Sequence, residues 1–108
     1  MADAQLEGRF AEAMVLIYER AKRECHYNAT RFVQMIGDHG ALQTAKLSIS
    51  ADHPSDGFTA LWECKRLDLT VEAHALKDEF RGLFTDEELV VAGERLKQYG
   101  RPNSAKLV

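Results

Sequence analysis

The stretch His26-Tyr-Asn-Ala-Thr-Arg-Phe-Val-Gln-Met-Ile-Gly-Asp-His-Gly-Ala-Leu-Gln-Thr-Ala-Lys46 decides how this chain is read. It looks like a functional motif, yet its residue order is that of helix punctuation. Asn28 is a good N-cap, because its side chain can accept from the free backbone N–H groups of a new helix. Tyr27 before it and Phe32 four residues after it have the spacing of a hydrophobic staple. Phe32, Val33, Met35 and Ile36 supply an apolar face, and Gly40 can adopt the left-handed conformation that stops a helix, with His39 at its negative end. A second short helix follows, with Leu42, Ala45 and Ile49 inward. The segment reads as an αα-hairpin.

The same grammar extends in both directions. Leu6, Phe10, Ala13, Met14, Ile17 and Ala21 recur at three- and four-residue steps, which predicts an amphipathic helix from about residue 4 to about residue 25, capped by Asp3. Pro54 and Gly57 punctuate the loop Ala51–Phe58, and Ser55 or Asp56 caps a helix carrying Phe58, Leu61 and Trp62. Asp68 or Thr70 caps the next helix, where Leu69, Ala73, Leu76, Phe80 and Leu83 form one stripe. Thr85-Asp86-Glu87-Glu88 is a capping box with acids in the positive first turn. Leu89, Gly93 and Leu96 are placed on the inner face of that last helix, which ends at Gly100 and Pro102. The brief alternation Lys46–Ser50 fits a helix as well as a strand. The predicted fold is all-α, a compact bundle of five or six helices over residues 1–101, with 102–108 as a flexible tail.

Composition sets the class. The chain has 108 residues, 45% hydrophobic and 29% charged, with two prolines and seven glycines, as in an ordinary globular domain. Its formal charge of −3, with acids and bases interleaved, argues against a generic phosphate-backbone binder. The cysteines, Cys25 and Cys64, are distant in sequence and are read as reduced thiols in a cytoplasmic protein. No apolar run is long enough for a membrane span, and the N-terminus lacks the apolar core of a signal peptide.

The residue pattern offers no catalytic or metal-binding constellation. His26, His39, His53 and His74 have no paired-ligand spacing, so no metal or other cofactor is expected. Cys25 and His26 are adjacent and point about 100 degrees apart on a helix, so they make no nucleophile–base pair. Cys64 reads as a core filler, and no small-molecule substrate is evident. The hairpin at 28–50 has the outline of a helix-turn-helix, but its second helix offers Gln43, Thr44 and Lys46 and no arginine. Trp62 reads first as core. Tyr27, Arg31 and Trp62 are nevertheless the residue types that dominate protein interfaces. Arg31 is the residue least explained by folding, because it lies in the positive first turn of its helix. It is expected to pair with an acid from another helix or to reach a partner.

The series YNATRFVQMI, HGALQTAK, SDGFTALWE, RLDLTVEA, LFTDEEL and ERLKQYG, spanning about residues 5 to 100, resembles a widespread small helical domain of uncharacterised bacterial proteins. In those relatives it occurs free-standing or as a tail on larger chains, including nuclease or mobile-element proteins. The resemblance carries over no activity and no site residues. The relatives tend to have Gly where this chain has His26, often a proline within 76–80, and a more helical counterpart of KLSISADHP. Without that proline, the helix here is expected to run further.

The function expected from all this is a non-catalytic protein-interaction or accessory module. Tyr27, Arg31 and Trp62 would form its contact patch, and self-association through the first or last helix is one form of it. The alternative is a nucleic-acid-associated accessory domain in a restriction, phage-defence or mobile-element context.

Overall fold

The computed structural model describes residues 3–100, so the expected tail at 102–108 lies outside the described residues. Six α-helices follow one another: α1 (Asp3–Cys25), α2 (Thr30–His39), α3 (Ala41–Ser50), α4 (Asp56–Glu63), α5 (Val71–Ala75) and α6 (Asp86–Tyr99). Short 3-10 turns at Leu67–Leu69 and Arg81–Leu83 flank α5, and no strand occurs among the described residues. The all-α bundle is as predicted, and Lys46–Ser50 belongs to α3.

The stripe on α1 is the spine of the core. Phe10, Met14, Ile17 and Ala21 are buried, with Leu6 and Ala13 packed at the edges. Phe80 and Phe84 meet the Phe10 ring edge-on, at centroid distances of 5.1 and 5.6 Å. This edge-to-face arrangement adds to the area that the rings bury. Helix α3 lies against α1, α2, α5 and α6, and buries Ala41, Thr44, Ala45 and Ile49.

Caps fall where side-chain chemistry is strongest. The Ser55 hydroxyl accepts from Phe58 N–H, Thr70 accepts from Ala73 N–H, and Thr85 forms a complete capping box with Glu88. Gly40 closes α2 at φ 86°, with its N–H on the Ile36 carbonyl. Gly100 ends α6 with a negative φ, so it does not use the left-handed conformation.

Several expectations need correction. Asp3 lies within α1 rather than before it. Asn28 does not cap α2: the chain tucks Ala29 into the interior, Thr30 N–H donates to the Asn28 carbonyl, and the helix begins at Thr30 without a side-chain cap. The expected staple spacing therefore no longer applies to Tyr27 and Phe32. The stripe from Leu69 to Leu83 is not one helix. Helix α5 stops at Ala75, and the exposed Lys77, Asp78 and Glu79 sit in consecutive turns. The helix expected to run further breaks here instead, and the turns that follow bring Phe80 and Phe84 both to Phe10.

The cysteines are joined. Cys25 and Cys64, with Cα atoms 5.8 Å apart, form a disulfide rather than two reduced thiols, so Cys64 is not merely a core filler. Each is the last residue before a left-handed position: His26 at φ 56° and Lys65 at φ 64°. Arg66 N–H donates to the Leu61 carbonyl and Lys65 N–H to that of Trp62, a Schellman closure of α4. The bond therefore ties two helix C-termini that the chain brings together. Arg66 reinforces the joint by pairing with both Glu24 and Asp68.

Candidate functional site

Helix α2 is the least anchored element. Its apolar and polar residues segregate, yet none of its residues is fully buried, and it rests mainly on α3. An amphipathic helix stabilises itself by burying its apolar face. Here Phe32, Met35 and Ile36 are only half-buried. Beneath α2 lies a cleft of about 330 Å³, walled by α2, the end of α3, the following loop and the starts of α4 and α5. Tyr27, Phe32 and Phe58 give it aromatic walls, and Ile17, Leu61 and Val71 line it below. Its size and largely apolar lining are those of a small binding pocket.

One charged group reaches this lining from the interior. Glu72 on α5 is 2% exposed, and its Oε2 accepts from Arg95 on α6 at 2.9 Å. Arg95 also donates to the carbonyls of Ser48 (3.2 Å) and Ala51 (3.0 Å), at the C-terminal end of α3. Those carbonyls lie where a helix has no backbone donors of its own, so the guanidinium satisfies both polarity and dipole. The Glu72–Arg95 pair thus joins α3, α5 and α6 at the back of the cleft. Burial pushes the Glu72 carboxyl above the usual range, and Arg95 and a backbone hydrogen bond only partly offset it. Sequence reasoning missed this pair. The available signal was Arg95 itself, a lone charge three residues beyond Ala92 on the inner face of α6, where it displaces the expected Gly93 register.

The rim is polar. Arg31, His53 and Asp56 stand around the opening, and Tyr27 lies over Gly57 at the start of α4. Burial and the nearby Asp56 raise the Tyr27 phenol above its ordinary value. Arg31 is exposed and pairs with no carboxylate among the described residues, so the expected ion pair with another helix does not form. The structure brings Tyr27 and Arg31 to the same cleft.

Trp62 is not part of that lining. It is 41% exposed rather than core, and it stacks edge-on against Tyr99 at 5.4 Å while its Nε1 donates to the Tyr99 carbonyl at 3.1 Å. Trp62 fastens the end of α6 to α4.

Two other features bear on chemistry. Lys46, on the helix considered for base reading, pairs with Glu88 at 2.7 Å and lies over the Phe84 ring. A second hollow of about 340 Å³ runs along α1, but there Arg9, Arg20 and Lys77 alternate with Glu12 and Glu79, and it has no buried carboxylate. Among the described residues no group of three or more His, Cys, Asp or Glu side chains is placed to hold a metal, and no helix is long and apolar enough to cross a membrane. Comparison of the chain with protein-family models, with curated proteins and with solved structures finds no match.

Proposed function

We propose that this domain is a non-catalytic interaction module that seats a segment of a partner protein in the cleft under α2. The observation that carries the reading is the half-buried apolar face of α2, set over an aromatic-walled cleft whose rim presents Arg31 and Tyr27. A partner segment there would complete the burial that α2 lacks. Rim charges would set specificity more than affinity. Trp62, already committed to Tyr99, has a structural role in this reading.

The nucleic-acid alternative has less in its favour. Helix α3 packs on four other helices, and Lys46 is already engaged with Glu88. A cytoplasmic setting was expected from reduced thiols, and the Cys25–Cys64 bond favours an oxidising compartment instead.

The test is affinity capture from host lysate after nuclease treatment, with wild type and a Met35→Glu variant run side by side. Met35 lines the cleft from α2. The reading predicts a partner that survives nuclease and is lost with Met35→Glu. A partner set lost with nuclease, or retained by the variant, would overturn it.

A further inference from the structure

The floor of the cleft defines what its occupant must carry. Glu72 is the one buried carboxylate in the lining. Arg95 is its only side-chain partner among the described residues, and it occupies Oε2. A carboxylate offers about four lone-pair sites over its two oxygens, so Oε1 keeps acceptor capacity. The Tyr27, Phe32 and Phe58 rings line the same cleft.

We propose that the cleft takes a basic side chain, arginine or lysine, from the partner polypeptide. Its terminal nitrogen donates to Glu72 Oε1, and its methylene stem lies between the aromatic rings. This rests on the docking reading above and names its anchor residue. Three arguments support it. A long basic side chain has an apolar stem and a cationic tip, which matches apolar walls over a carboxylate floor. Aromatic faces attract a cation, most strongly where water is excluded. Finally, burial holds the Glu72 carboxyl above its ordinary range despite Arg95 and a backbone hydrogen bond, so a further donor has something to gain. At the rim, Arg31 disfavours a second cation and favours an acidic neighbour beside the anchor.

The test follows amide shifts of the isotopically labelled, disulfide-intact chain by NMR during titration with three probes. These are N-acetyl-arginine amide, N-acetyl-lysine amide and the uncharged N-acetyl-norleucine amide. The proposal expects saturable shifts at Ala51, Phe58, Val71 and Glu72. At least one basic probe should bind about tenfold tighter than norleucine, the worth of one charge-assisted hydrogen bond. Glu72→Gln should abolish that preference. Should that variant not fold, the wild-type comparison of basic with neutral probe decides alone. Norleucine binding as tightly as both basic probes would overturn the basic anchor while leaving an apolar docking cleft. No saturable shift of the cleft amides with any probe would overturn both.

Discussion

Two residues hold backbone conformations that their side chains oppose. His26 and Lys65 both sit in the left-handed region, where a Cβ costs roughly 1–2 kcal/mol. Replacing either with glycine should stabilise the chain by about 1 kcal/mol, partly offset by the extra freedom of glycine when unfolded. Thermal denaturation of His26→Gly and Lys65→Gly measures this, and a lowered midpoint in both would contradict it. Glu72 and Arg95 make the opposite case. Their pairing is dispensable only as a unit, because removing one strands the other in the interior. Glu72→Ala should cost about 3–5 kcal/mol in a chemical denaturation series. His74 adds a pH dependence. Burial lowers its pKa below the ordinary 6.5, while its Nδ1 faces the Thr70 carbonyl at 2.9 Å. Its contribution is therefore complete above the unfolded value and declines as pH falls below it, because the unfolded chain takes up the proton first. Denaturation midpoints measured between pH 7.5 and 5.5 should fall, and His74→Gln should flatten that slope.

At the scale of elements, caps were the most legible part of the sequence. Thr85 caps the helix it was placed before, and of the alternatives Ser55 or Asp56 and Asp68 or Thr70 the hydroxyl is the cap each time, because a hydroxyl two or three residues ahead of free N–H groups is a purely local device. Thr85→Ala removes the hydroxyl half of a closed capping box and should cost about 1 kcal/mol in a denaturation experiment. Asn28 failed as a cap for a reason outside its own segment, since burial of Ala29 fixes the chain there. The stripe Leu69–Leu83 failed similarly. Its four- and three-residue steps describe a helix and a folded-back series of turns equally well, and contact with Phe10 selects the second. Periodicity reports which residues face inward; it does not report where the backbone turns between them. Arg95 was passed over because a charge on an inner face has a partner only in three dimensions.

Over the whole molecule, the same limit explains the cysteines. Cys25 and Cys64 are 39 positions apart in sequence, and only the meeting of the α1 and α4 C-termini brings them together. Closing a loop of that length should stabilise the fold by about 2–4 kcal/mol, so Cys25→Ser/Cys64→Ser, or reduction, should lower the denaturation midpoint. Of the three residues expected to form a contact patch, the bundle places Tyr27 and Arg31 at one cleft and turns Trp62 to another joint. Helix type, the α1 spine and most caps could be read from local pattern. The cleft could not, since four separate stretches of the chain, around residues 17–21, 27–35, 47–61 and 70–72, build it. The most direct test of the docking account is site-specific photo-crosslinking in the native host, with the photoreactive residue at Met35 in the cleft or at Gln98 on α6, outside it. The account predicts a discrete protein adduct from position 35 that is insensitive to nuclease, and none from position 98. The same adducts from both positions, or none from position 35, would contradict it.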